Sequence, residues 1–371
     1  MDRMQKTTED NRTMSNMNSN LKQLTKPLLA WYRQNARDLP WRHTDDPYRI
    51  WVSEIMLQQT RVAAVLGYYH RFLSAFPTVY ELANAPEQQL MKQWEGLGYY
   101  SRARNMQKTA LQVVEQYEGV FPETYEELLK LPGVGEYTAG AIASAAFGVA
   151  VPAVDGNVLR VVSRICECYD DIADTKVKAA FRRKIEEILP DNREDMRVFN
   201  QALMELGATV CVPNGAPKCE NCPACDFCRA RLSGTVEKLP VKAPKKARRI
   251  EEKTVLVLVR DGQIALRKRS DSGLLAGLWE FPNTDSVLNE TAVYEYLKSC
   301  GLSVLDWKKQ LKSKHIFTHV EWRMTGYVLQ VSGEGPCDLI WADSESFAQY
   351  ALPSAFAKFT AEAQQILNLK E

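Results

Sequence analysis

The most confining feature of the sequence is one stretch of eighteen residues, CVPNGAPKCENCPACDFC at 211–228, which holds five of the nine cysteines. Taking Cys211, Cys219, Cys222 and Cys228 as ligands gives the spacing C-x7-C-x2-C-x5-C, with Cys225 inside the last gap. Four thiolates bind zinc tetrahedrally, but zinc modules usually place two close cysteine pairs on either side of a long spacer. Here every thiol shares one compact loop after a helical stretch. That favours a 4Fe–4S cluster held by cysteine thiolates, with zinc the competing reading of the spacing. The other four cysteines, Cys166, Cys168, Cys300 and Cys337, are scattered. A short secreted disulfide scaffold would be more evenly stapled, so a reducing, intracellular setting is expected.

The length of 371 residues predicts two domains or three. Residues 1–20 are polar, lack an apolar h-region, and read as a disordered tail rather than a signal peptide. No apolar run of about 18 residues offers a membrane span. Residues 21–235 show three-to-four apolar spacing throughout, which predicts an all-α domain. Within it YRIWVSEIMLQQTRVAAVLGYYHRFLSAF reads as one continuous helical pattern. Residues 236–253 read as a linker whose basic run, KLPVKAPKKARR, is a solvated stretch or a contact for phosphates. From residue 254 the texture turns to β. KTVLVLVRDGQIALRKRS has a hairpin's Asp-Gly, and HIFTHVEWRMTGYVLQV is another long β-type run. ETAVYEYLKSC and SAFAKFTAEAQQIL are helical, so 254–371 is expected to be an α+β domain. The net charge is only +1. Charge alone therefore does not announce nucleic acid.

Three further places carry chemistry. In LPGVGEYTAGAI (131–142), Gly133, Val134 and Gly135 lie between helical stretches. Two glycines allow positive φ, and the free N–H groups of the next helix suit a phosphate without net basic charge; an ordinary αα-turn is the plain alternative. Glu54 stands among Trp51, Val52, Ile55, Met56 and Leu57. Packed there it has a raised pKa and suits proton donation. Its alternative is a solvated stripe with Gln58 and Arg61. Asp155 precedes a helical stretch, where it is either an N-cap alone or also an ionised carboxylate beside a developing cation.

The cysteine loop resembles that of the endonuclease III superfamily, and the Gly-Val-Gly stretch resembles the helix-hairpin-helix of DNA glycosylases. WVSEIMLQQTRV, WEGLGYYSRARN, LPGVGEYTAGAI, AVDGNVLRV and FNQALMELGATVC look like the adenine DNA glycosylase (MutY) family over about residues 28–234. The resemblance implies a multidomain protein: an all-α helix-hairpin-helix glycosylase domain with an iron–sulfur loop, and a C-terminal α+β Nudix-like domain. It implies excision of adenine opposite 8-oxoguanine or guanine from double-stranded DNA. It also implies a 4Fe–4S cluster on Cys211, Cys219, Cys222 and Cys228, although the first gap is one residue longer than the family's. Glu54 would donate the proton, Asp155 would stabilise the oxocarbenium ion, and Tyr137 and Asn157 would line the sugar. Gln59, Thr60, Leu97 and Tyr99 would meet the lesion side. Where bifunctional cousins have a lysine that forms a Schiff base, Tyr137 implies a monofunctional enzyme.

LRKRSDSGLLAGLWEFPN resembles the opening of a Nudix-like domain, yet ETAVYEYLKSC lacks the Glu-rich set that Mg²⁺-dependent hydrolysis needs. The resemblance instead implies lesion reading, with Phe317, Thr318 and His319 standing where the family has Phe-Ser-His. A monomer in the bacterial cytoplasm, at the nucleoid where its substrate lies, is expected.

Overall fold

The computed structural model describes residues 20–244 and 247–368. Apart from Asn20, the expected tail lies outside the described residues. The chain divides into two compact units. One comprises Met1–Tyr69, Thr78–Ala83 and Lys108–Pro244; the other comprises His70–Pro77, Asn84–Gln107 and Lys245–Glu371. The second unit thus includes two pieces of the stretch expected to be wholly helical domain. Hydrogen bonds inside it show why: Lys92 Nζ donates to Tyr350 O at 3.2 Å, Leu352 N to Glu95 Oε1 at 2.8 Å, and Arg104 Nη2 to Ala276 O at 2.7 Å.

The first unit is helical. Its helix starts are written in the sequence: Asp46, Thr124, Asp155, Asp174 and Asn192 each accept a backbone N–H from the first turn that follows. A core that includes Leu28, Val158, Val162, Phe181, Phe199 and Leu203 joins the helices Thr25–Asn35, Gly156–Cys166, Thr175–Glu186 and Arg193–Thr209. Glycine sets one close approach. A Cβ on Gly207 would lie 2.6 Å from Asn157 Cβ, so only glycine lets the helix Arg193–Thr209 press against the start of Gly156–Cys166. The pattern expected to be one helix is two, Pro47–Leu57 and Val62–Ala75. Gln59 breaks it with φ 58°, a left-handed residue that neither glycine nor proline announces.

Glu205 is the buried charge that ties this unit together. Its side chain is inaccessible, and it accepts from Arg37 N and Nε at 3.1 and 2.7 Å, Arg37 Nη2 at 2.6 Å, and Arg42 Nη2 at 2.6 Å. Burial pushes its carboxyl up, but the two guanidiniums outweigh burial and hold it at about 2.

The second unit is built on a seven-stranded mixed sheet of order β3-β2-β1-β6-β5, with β4 on β1 and β7 on β2. β1 spans Arg249–Arg260, β2 Gln263–Lys268, β3 Trp279–Glu280, β4 Asn283–Thr284, β5 Ser303–Ile316, β6 Val320–Ser332 and β7 Leu339–Ala342. β1 and β6 run parallel; the other pairs are antiparallel. Alternate residues of β1 enter different cores. Val255, Val257 and Val259 pack with Phe281, Phe356 and Phe359, while Leu256 and Leu258 pack with Val293 and Leu297. Helices therefore cover both faces, Ala357–Asn368 on one and Glu290–Ser299 on the other. The Asp-Gly hairpin forms as expected, with φ 49° at Asp261 and 81° at Gly262.

Two strands depart from expectation. β1 begins at Arg249, inside the stretch read as linker, because β6 supplies a parallel partner from Arg249↔Val320 onward. β5 was not expected before His315. It is an edge strand studded with lysines, whose only strand partner among the described residues is β6 and whose Leu311 and Trp307 also pack against the cores. The described residues include no helix long and apolar enough to cross a membrane.

Glu205→Gln should lower unfolding free energy by about 3 kcal/mol in denaturant titration, because it leaves two guanidiniums facing a neutral amide. A folded-state pKa below the ordinary 4.5 stabilises above about pH 4.5. In the wild type that contribution should fade as the pH drops towards 2, and in the variant this part of the pH dependence should be missing.

Candidate active site and cysteine loop

The helix Pro47–Leu57 starts on the Asp46 cap with Pro47 in its first turn, and Tyr48 and Ile50–Met56 are all buried. Glu54 is among them, at 8% exposure. It is therefore not part of a solvated stripe. Its Oε2 accepts the hydroxyl proton of Tyr137 at 2.6 Å, and the same hydroxyl lies 3.2 Å from Met204 Sδ. Burial raises the Glu54 pKa to about 7; the Tyr137 hydrogen bond opposes the rise, Asp155 adds to it, and Arg42 opposes it. Tyr137 follows Gly135 and Glu136 at the start of the helix Glu136–Phe147. Its own phenol is pushed well above the ordinary value, by burial first and then by Glu54.

Asp155 caps the helix Gly156–Cys166. One oxygen accepts from Asn157 N at 2.9 Å and Val158 N at 2.8 Å, and the other accepts from Asn157 Nδ2 at 2.7 Å. These bonds favour the carboxylate, yet burial outweighs them and the net shift is upward. Capping therefore restrains the carboxyl's pKa without setting it. Asn157 passes the network on: Arg160 Nη2 donates to Asn157 Oδ1 at 2.9 Å and to Gly207 O at 2.8 Å, while Arg160 Nε donates to Cys211 O at 2.8 Å. A chain of hydrogen bonds so connects Asp155 to the first cysteine of the loop. Arg160 was not expected from the sequence. The available signal was two arginines four residues apart, Arg160 and Arg164, in an otherwise apolar helix.

Cys211, Cys219, Cys222 and Cys228 line one pocket with apolar side chains such as Val161 and Leu206. Burial pushes the thiols of Cys219, Cys222 and Cys228 up, Cys222 to about 12, and each is raised further by its neighbouring cysteines. Thiols so placed resist separate ionisation and would be deprotonated together by a cationic centre. Cys225 also reaches the pocket wall, but its thiol bonds to Asp226 Oδ1 at 3.3 Å and feels Asp226 and Arg231, not the other cysteines. The donor chemistry of the four fits an all-thiolate centre.

The hairpin turn uses its glycines unequally. Gly133 has φ 73°. Gly135 is the extended N-cap of Glu136–Phe147, with open space where a Cβ would be, so it does not need positive φ. Val134 is buried beneath the turn. Gln59 is exposed and Thr60 partly so, in the break between two helices.

The second unit gathers the other expected residues. Gly96, Gly98 and Tyr99 all have positive φ. Arg102 Nη2 donates to Leu97 O and Gly98 O, both at 3.0 Å, and stacks on Trp94 and Tyr99. Leu97 is buried in this state, whereas Tyr99 is exposed. The hydroxyls of Tyr99 and Thr318 are 2.8 Å apart. Phe317, Thr318 and His319 form the turn between β5 and β6; Phe317 packs on Trp322 with ring centroids 4.9 Å apart, and Thr318 and His319 face solvent.

Residues 52–187 match the model of the HhH-GPD superfamily base excision DNA repair proteins, and residues 254–362 match that of the NUDIX domain. An adenine DNA glycosylase of Homo sapiens is 37% identical, over 89% of this chain and 72% of that protein. One from Buchnera aphidicola subsp. Baizongia pistaciae is 38% identical, over 69% of this chain and 72% of that protein. The chain belongs to the adenine DNA glycosylase family. Among solved structures, a thermostable thymine-DNA glycosylase aligns with a TM-score of 0.52 and 31% identity, covering 58% of this chain and 98% of that one. A trapped endonuclease III–DNA covalent intermediate gives a TM-score of 0.50 and 26% identity, with the same coverage of both chains. The adenine glycosylase family thus accounts for both matched regions, and the carboxylates and hairpin fall inside the first.

In Tyr137→Phe the hydrogen bond that favours ionised Glu54 is gone. The pKa of Glu54 should rise above about 7, and any pH limb that reports its protonation should move to higher pH, as read from carboxyl NMR titration.

Proposed function

We propose that this chain is a monofunctional DNA glycosylase that removes adenine opposite 8-oxoguanine or guanine in double-stranded DNA. The observation that carries this reading is Glu54: an acid sealed in an apolar helix face, held by Tyr137, with a pKa of about 7. Adenine leaves poorly until a ring nitrogen is protonated. An acid with that pKa is half protonated at neutral pH and can transfer its proton to a base extruded from the duplex. The sugar then becomes cationic, and the Asp155 carboxylate suits that charge. Its three hydrogen bonds from residues 157 and 158 restrain it in place. A tyrosine at 137 forms no Schiff base, so an abasic site is the product.

Gly133, Val134 and Gly135 would take a DNA phosphate on the N–H groups ahead of Glu136–Phe147. Gln59, Thr60, Leu97 and Tyr99 would contact the lesion side. Phe317, Thr318 and His319 would distinguish 8-oxoguanine from guanine, whose N7 edge accepts where the lesion's edge donates. Residues 21–235 would carry the chemistry and these lesion-side contacts, and 254–371 the discrimination of 8-oxoguanine from guanine, in a monomer of the bacterial cytoplasm. Cys211, Cys219, Cys222 and Cys228 would hold a 4Fe–4S cluster that shapes the loop around them. When bound, it supplies structure rather than a step of the reaction.

Glu54→Gln should bind a duplex with adenine opposite 8-oxoguanine and release adenine roughly 10²–10⁴-fold more slowly, since an amide keeps the shape without the proton. Single-turnover strand assays with alkali cleavage of the abasic site measure this; a near-normal rate excludes Glu54 as the acid. Thr318→Ala combined with His319→Ala should reduce the preference for adenine opposite 8-oxoguanine over adenine opposite guanine by about 10-fold, a loss within the worth of one good base contact. The single-turnover rate on the guanine mispair should hold. A full lesion preference in the double variant would reduce the turn to a structural one.

A further inference from the structure

The helix Gly156–Cys166 carries a buried guanidinium that neither Glu54 nor the Asp155 network uses. Arg164 is 4% exposed. Its Nε donates to Leu239 O at 2.9 Å, and its Nη1 donates to Val212 O at 3.0 Å and to Cys211 Sγ at 3.2 Å. Its own carbonyl accepts from Cys228 Sγ at 3.5 Å. One residue therefore touches the first thiol of the loop, the last thiol, and the chain that leaves the loop.

The partners of this guanidinium are two carbonyls and a sulfur, with no carboxylate among them. A buried cation without a counter-anion is costly. The contrast with Glu205 is direct, since that buried carboxylate has two arginines of its own. Neutral thiols do not supply the missing charge; a centre of four thiolates does. We propose that Arg164 is the built-in counter-charge of that centre, a positioning residue that orients Cys211, slows loss of the cluster and raises its reduction potential. The proposal rests on the iron–sulfur reading. Its physical basis is that hydrogen bonds and positive charge near ligand sulfurs stabilise the more reduced, more negative state. Arg160, one turn earlier, bonds to the carbonyl of Cys211 and not to its sulfur, although its charge also acts on that thiol.

The test uses the full chain and three proteins: wild type, Arg164→Gln, which keeps N–H donors without charge, and Arg164→Lys, which keeps charge with a single donor group. Iron, sulfide and zinc analysis of the wild type comes first. Iron and sulfide are expected; zinc without iron overturns the iron–sulfur reading and this proposal with it. Given iron, Arg164→Gln should lose it to a chelator about 10-fold or more faster than wild type. Its midpoint potential in protein-film voltammetry should move negative, and Arg164→Lys should stay nearer the wild-type potential. Equal potentials in all three proteins overturn the proposal alone. So do equal shifts in both variants, which would leave Arg164 a clamp for the loop and nothing more. If Arg164→Gln takes up no iron, Arg164→Lys decides: a loaded cluster near the wild-type potential supports the counter-charge, and an empty or strongly shifted protein overturns it.

Discussion

The helix Gly156–Cys166 is the element on which the first unit depends. Its N-cap is Asp155, its first turn holds Asn157, and its buried face presents Arg160 and Arg164 to the cysteine loop. Its apolar side chains Val158, Val162 and Ile165 sit in the same core as Phe199 and Leu206. Gly207 removes the one side chain that would hold the neighbouring helix away. A displacement of this helix would move Asp155 and the loop together, because they share its two ends. That is a physical reason for the cysteine loop to matter to Asp155.

The two carboxylates show how environment sets the character of an acid. Glu54 has a single side-chain hydrogen bond from Tyr137 inside an apolar wall, and its pKa rises to about 7. Asp155 is buried too, but three hydrogen bonds to the carboxylate oppose the rise. Asp155 also adds to the cost of ionising Glu54, as a nearby negative charge must. Two acids held in such different surroundings are suited to divide proton donation from charge stabilisation.

The second unit is a different use of the same economy. A mixed sheet covered on both faces makes β1 and β6 rigid, and the β5–β6 turn projects Thr318 and His319 from that frame. Tyr99, held in a left-handed conformation and stacked by Arg102, meets the Thr318 hydroxyl within the unit. A hydroxyl pair and an imidazole on such supports would lose little entropy on contact with a ligand.

Much of this was legible in the sequence for local reasons. Helix caps, the Asp-Gly hairpin and the compact cysteine spacing depend on neighbours a few residues apart, so Asp155, Gly262 and Cys211–Cys228 could be read directly. The division into helical and β-rich parts followed from apolar periodicity. Other features depend on distant partners and could not be read so. The helix break at Gln59 carries no breaker residue, β5 looks polar until β6 pairs with it, and Arg249–Lys253 became strand only because β6 lies beside them. Glu54 was a candidate by its neighbours, but whether it faced water or Tyr137 was decided by packing across 83 residues. Arg160 and Arg164 lie in an ordinary apolar helix until the fold brings Cys211 to them, about fifty residues on. Sequence fixes which groups are available; burial and charge, which set what those groups do, exist only once the chain has closed around them.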